Sequence, residues 1–228
     1  MLRRPSLASV FRGKQELYRP VRPKRPIAER RPPQAVRVLT RSAGAIRGLV
    51  ALGALRFPCA LGRGGCRARK REGDGATPIG RWRVGAIHYR PDRTRRPRTA
   101  FPVRAIAPND GWCDAQADRN YNRPVRHPYA ASAERLWRSD ALYDVMAVLD
   151  YNDRPRVKGR GSAIFVHVAK PGYTPTEGCI ALARAHLLRL LERLRPGAAI
   201  QVASRDKKRP ELSRRALKST YRGSGVLS

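Results

Sequence analysis

Cys179 follows Gly178 directly in TPTEGCIAL, and His167 stands twelve residues before it. Residues of these types at this spacing can carry out nucleophilic acyl transfer. A thiol attacks as its thiolate, and a free cysteine titrates near ~8.5, so at neutral pH it needs a base or a positive field beside it. An imidazole can take the thiol proton and later return it to a leaving amine. A glycine before the nucleophile lets the backbone turn sharply and lets a carbonyl approach. It also allows the N–H groups of Gly178 and Cys179 to point at a developing oxyanion. The imidazole needs an orienting acceptor, for which a backbone carbonyl just after its strand suffices. His88, His127 and His186 compete as bases, but none has a comparable relation to a cysteine.

For the pair to meet, His167 must end a strand and the following loop must return Cys179 beside it. Ser162–Ala169 (SAIFVHVA) has the strongest strand character in the chain, with His167 late in it. The segment from Ala35 (VRVLT) alternates like a strand, and the apolar segments Ala45–Leu52 and Ala54–Leu61 follow. Arg81–Tyr89, Phe101–Ala107, Tyr143–Tyr151 and Ala199–Ala203 are further strand candidates. Leu187, Leu190, Leu191 and Leu194 fall at i, i+3, i+4 and i+7, which predicts an amphipathic helix over residues 184–195 with Gly197 as its stop. A second helix is expected over Ser132–Leu142, capped by Ser132. Residues 71–80 (REGDGATPIG) read as a tight loop and residues 109–125 as a long one. This pattern predicts a mainly-β sheet or sandwich with one or two peripheral helices.

Charge dominates the composition: 49 Lys+Arg against 17 Asp+Glu give +32 over 228 residues. Such a balance suits acidic polymers as partners. It is concentrated in no single patch: residues 1–34 hold ten basic and two acidic residues, and residues 204–228 eight and two. These ends read as a basic, disordered arm and a basic tail around a domain over residues 35–203. No ribonucleoprotein-type aromatic motif or zinc-finger spacing is present, so no specific nucleic-acid partner is expected. No stretch approaches the ~20 apolar residues needed to cross a bilayer. The N-terminal residues lack the apolar segment of a secretion signal. Cys59 and Cys66 flank a glycine-rich turn and could pair in an oxidising compartment, while Cys113 reads as a spectator.

A strand ending in His, a loop, and then Ser/Thr-His-Gly-Cys with apolar residues after it is the signature of the L,D-transpeptidase catalytic domain family, which this chain resembles. The matching positions are His167, Thr176, Gly178, Cys179 and Ile180, and Thr77-Pro78-Ile79-Gly80 matches the family's Thr-Pro-x-Gly turn. GDGATPIG, DGWCDA, YNRPV, SAERLWRSDALYDV and GSAIFVHVA extend the likeness over about residues 35–203. Two positions depart from it: Glu177 replaces the usual second His, and Ala181 stands where an Arg is often found. Recognition of a substrate carboxylate then falls to another arginine, such as Arg123 or Arg138.

The resemblance implies that Cys179 attacks the carbonyl of the third residue of a peptidoglycan stem peptide, forming a thioester as D-alanine leaves. The amine of a second stem then gives a 3-3 cross-link, whereas water gives L,D-carboxypeptidase activity. His167 carries protons in both halves, the Val168 carbonyl orients its ring, and the Gly178 and Cys179 N–H groups bind the oxyanion. Thr176 belongs to the motif, and Asp110, Trp112, Tyr121 and Asn122 are candidate substrate contacts, although such residues also stabilise loops. No metal or organic cofactor is implied, and the implied location is the periplasm or cell wall. An amide hydrolase of peptidoglycan with the same site and a non-enzymatic basic polyanion-binding protein remain alternatives. The oligomeric state stays unassigned.

Overall fold

The computed structural model describes residues 34–203. The expected basic arm, apart from Gln34, and the basic tail lie outside the described residues. In chain order the elements are β1 (Ala35–Leu39), β2 (Arg47–Leu52), β3 (Leu55–Ala60), β4 (Cys66–Arg67), β5 (Thr77–Pro78), β6 (Gly80–Tyr89) and β7 (Val103–Ala105). They continue with β8 (Asp110–Cys113), β9 (Pro124–Arg126), β10 (Ala133–Arg135), β11 (Val145–Leu149), β12 (Phe165–Val168), β13 (Ile180–Leu182), α1 (Arg184–Arg193) and β14 (Ala199–Ala203).

Local patterning explains the clearest elements. β1 alternates strictly, sending Val36 and Val38 inward. In α1 the buried residues are Leu187, Leu190 and Leu191, the apolar stripe of an amphipathic helix, and Gly197 beyond it adopts φ 83°. The main sheet runs β11-β12-β13-β3-β2-β1-β14-β6-β7, and β6 also pairs with β11, so the sheet closes on itself. β1–β14, β12–β13 and β6–β7 are parallel, and the other pairs in this sheet are antiparallel. The mainly-β expectation therefore holds, with one α-helix among the described residues.

The two faces of β11–β13 feed different cores. Val145, Ala147, Val166, Val168, Ile180 and Leu182 join a large cluster with the leucines of α1. Met146, Phe165 and Cys179 join a smaller one with Ile106, Trp112, Leu136 and Tyr143. Each large apolar side chain buried in these clusters contributes about 1.5–3 kcal/mol.

Two expectations are corrected. Ser132–Leu142 is not a helix. Its start, β10, pairs with β8, placing Glu134 opposite Trp112. The carbonyls that a helix would use are taken by arginines: Arg90 bonds Arg138 O, and Arg93 bonds Ser139 O and Asp140 O. Residues 109–125 are not all loop, since β8 joins β9 and β10 in a three-stranded sheet. β8 shows no alternation because all four of its residues are buried. Cys59 and Cys66, whose pairing the sequence left open, are free, buried thiols in this structure.

Buried titratable groups predict the stability profile. Burial holds the His88 and His167 imidazoles down to about 4, whereas an unfolded histidine titrates near ~6.5. Between these values the unfolded chain binds more protons, so stability falls as pH drops, by about 3 kcal/mol per histidine. Burial also pushes the Cys59 and Cys179 thiols up to about 12 and Cys66 up to about 11. The folded chain then keeps protons that the unfolded chain releases above ~8.5, and stability falls again on the alkaline side. Urea unfolding across pH should show a plateau between these limits. Unchanged stability from neutral pH down to pH 4 would show that the rings are not held neutral.

Candidate active site

β12 and β13 run in register, with Val166 opposite Ile180, His167 opposite Ala181 and Val168 opposite Leu182. Because strand side chains alternate, His167 and Phe165 share a face with Ala181 and Cys179. Cys179, one residue before β13, is thus a diagonal neighbour of His167. Their backbones are separated by roughly 8 Å on sheet geometry, within reach of two side chains on one face. Both residues line one cavity of about 510 Å³, together with Ala163, Tyr143, Glu134 and Arg138.

The thiol is held by backbone. Phe165 N–H donates to Cys179 Sγ at 3.3 Å, and Sγ donates to the Ala163 carbonyl at 3.2 Å. Burial pushes the thiol up to about 12; the Phe165 N–H opposes the rise, Glu134 adds to it and Lys70 opposes it. His167 Nδ1 lies 2.9 Å from the Val168 carbonyl. A carbonyl only accepts, so Nδ1 carries the proton and Nε2 is left basic. Tyr143 stands edge-on to the imidazole, with ring centroids 5.4 Å apart. Burial lowers this imidazole to about 4, against the opposing bond to Val168. The resting pair is therefore a neutral thiol and a neutral imidazole throughout the physiological range.

The turn bearing Cys179 is braced by earlier segments. Thr176 N–H bonds Leu61 O at 2.9 Å, and Arg63 N–H bonds Thr176 O at 2.8 Å. Beneath them the Thr-Pro-x-Gly segment is fastened in turn: Gly62 N–H donates to Thr77 Oγ1, and Thr77 N–H to Gly65 O, both at 2.8 Å. Thr176 Oγ1 donates to Cys179 O at 2.7 Å and accepts from Gly178 N–H at 3.2 Å. Gly178 has φ 129°, and a Cβ there would lie 2.7 Å from Ala76 O, so only glycine fits. Its N–H is already engaged in this state. Glu177 lies outward in an ion pair with Arg63 at 2.8 Å, both side chains well exposed. The carboxylate acting on the thiol is instead that of Glu134.

The other expected contact residues divide. Thr176 and Arg138 line the cavity. Arg138 is held by Asp140 through two 2.8 Å bonds and by Glu134 at 3.6 Å. Trp112, Tyr121 and Asn122 are buried and brace the site from behind. Trp112 Nε1–H donates to Asn122 Oδ1 at 3.0 Å, and that oxygen also accepts from Ala163 N–H at 3.1 Å. Tyr121 O–H bonds Glu72 and accepts from Gly161 N–H at 3.0 Å. Asp110 accepts from Ala107 N–H at 3.0 Å within its own turn. Arg123 opens on a second cavity of about 390 Å³.

Sequence reading missed Glu134, placed in the mistaken helix, Tyr143, read only as the start of a strand, and Lys70, which sits in an arginine-rich run without a motif of its own. It also missed the polarity of the cavity. In a chain of +32 the lining carries Glu72, Asp114, Glu134 and Glu177 against Arg138 and Lys170. Among the described residues, no group of three or more His, Cys, Asp or Glu is arranged to hold a metal ion, and no helix is long and apolar enough to cross a membrane.

Comparison with known proteins gives one match. A family model described as the L,D-transpeptidase catalytic domain covers residues 49–202. Neither the curated proteins nor the solved structures gave a match. The matched span holds most of the described fold together with His167, Gly178 and Cys179, and the chain belongs to the L,D-transpeptidase catalytic domain family.

Proposed function

We propose that residues 35–203 form a catalytic domain that cross-links peptidoglycan stems 3-3 through a Cys179 thioester. The observation that carries this reading is the placement of His167 and Cys179 on one face of the β12–β13 pair, lining one cavity, with His167 Nδ1 tied to the Val168 carbonyl. A thiol held up to about 12 and an imidazole held down to about 4 do not rest as an ion pair. The proton therefore moves to Nε2 as the C–S bond forms, and the Val168 carbonyl stabilises the imidazolium. The oxyanion is held by Cys179 N–H and by Gly178 N–H as its 3.2 Å bond to Thr176 gives way. His167 then protonates the leaving D-alanine amine as the C–N bond breaks. In the second half it takes a proton from the acceptor amine, which attacks the thioester and frees the thiol.

Peptidoglycan lies outside the inner membrane, so the domain would act in the periplasm or cell wall. The test is incubation of the purified protein with disaccharide-tetrapeptide and mass analysis of the products. A cross-linked dimer lacking one D-alanine is expected. Tripeptide without dimer would replace the reading by L,D-carboxypeptidase activity. An intact substrate would reject both and favour the polyanion-binding alternative.

A further inference from the structure

The chain carries only eight lysines among its 49 basic residues. One of them, Lys70, is buried at 5% exposure. Its Nζ donates to Asp74 Oδ1 at 2.7 Å and to Arg71 O at 3.3 Å. Asp74 is itself fastened, accepting from Arg71 N–H at 2.8 Å and Ala76 N–H at 2.9 Å. A buried ammonium is costly unless paired, so this loop closes around an ion pair whose position calls for a reason.

Two glycines reveal that position. A Cβ on Gly161 would fall 2.8 Å from Lys70 Cε, and one on Gly178 would fall 3.3 Å from Lys70 Nζ. The lysine threads between them, and its charge packs against the residue preceding the nucleophile. A compact ammonium fits such a slot, whereas a planar guanidinium needs more room. Ala76, whose N–H is held by Asp74, also presents its carbonyl to the Cβ side of Gly178. The same ion pair therefore shapes the turn and sets the field around it.

We propose that Lys70 is a positioning residue for Cys179: its buried ammonium, clamped by Asp74, holds the Gly178–Cys179 turn and supplies the positive field that favours the thiolate. This field offsets that of Glu134, which acts on the thiol in the opposite sense. The proposal rests on Cys179 being the nucleophile but not on the peptidoglycan substrate.

The test uses the full chain without substrate. Iodoacetamide labelling of Cys179 is followed by peptide mass spectrometry across pH, in the wild type, Lys70→Met, Lys70→Met/Asp74→Asn and Asp74→Asn. The double variant leaves no buried charge unpaired, so it separates loss of field from misfolding. Both variants lacking Lys70 should label about tenfold more slowly near pH 8, the rate factor of displacing the thiol titration upward by one pH unit. Asp74→Asn leaves the buried ammonium without its counter-charge and its clamp, so it should also label more slowly. A displaced pH profile of labelling in a folded protein is what a purely structural brace would not produce. A folded double variant whose profile overlays the wild type would overturn the proposal. Because no peptidoglycan is used, either result leaves the cross-linking reading to be judged separately.

Discussion

Replacing Cys179 by alanine should reduce turnover of a stem peptide by about 10⁴-fold or more, because the proposed acyl-enzyme forms on this thiol. Intact-protein mass spectrometry should show a thioester adduct, and a carbapenem adduct, on the wild type and neither on the variant. The substitution also removes the partner of Phe165 N–H, a buried donor. It should therefore cost about 1–3 kcal/mol of stability. Cys179→Ser separates the two effects: a hydroxyl can keep the bonds to Phe165 and Ala163, so stability should recover while the adduct stays absent. Adduct formation on Cys179→Ala would place the nucleophile elsewhere, and Cys113, free and buried, would be the first residue to test.

His167→Gln should lower kcat by about 10³-fold, within the range for loss of a general base. KM should change little, because in the proposed role the ring serves the reacting atoms and does not anchor the stem. Glutamine is the informative choice. His167 is 4% exposed and sits in register between Met146 and Ala181, so alanine would open a cavity and confuse folding with chemistry. In the wild type, the imidazole stays neutral down to about 4 because burial disfavours its cation. The pH profile of kcat/KM should therefore show no acid limb from this residue above that value. A limb near ~6.5 would mean that the ring is solvated during turnover. A raised KM at unchanged kcat would make His167 a binding residue.

The acidic lining bears on how the molecule treats polyanions. Among the described residues the excess positive charge lies outside the cavity, whose lining holds Glu72, Asp114 and Glu134 beside Arg138 and Lys170, with the exposed Glu177 paired to Arg63. Attraction to acidic envelope polymers and recognition of the proposed stem peptide would then fall on surfaces of different charge. Salt should weaken the first far more than the second, because exposed charges are screened and buried ones much less so.

Sequence alone determined the elements whose pattern is local. Val36 and Val38 alternate with exposed neighbours, the leucines of α1 repeat at helical spacing, and the run around His167 is continuously apolar. Each writes its burial into adjacent residues. The Gly-Cys pair and its histidine stood out as candidates because acyl transfer would need particular residue types at particular points of a strand and loop. What only the tertiary structure decided depends on partners far along the chain. The helix expected at Ser132–Leu142 yields to β8 and to arginines at positions 90 and 93, more than forty residues upstream. Trp112 and Asn122 turn from the cavity to brace Ala163, and Glu177 turns outward to Arg63. Lys70, one basic residue among many in sequence, becomes a buried charge behind the nucleophile only when the loop carrying Asp74 folds under Gly178. Local propensities differ by less than about 1 kcal/mol per residue, while each such buried bond or charge pair is worth as much or more, so long-range contacts decide where the two disagree.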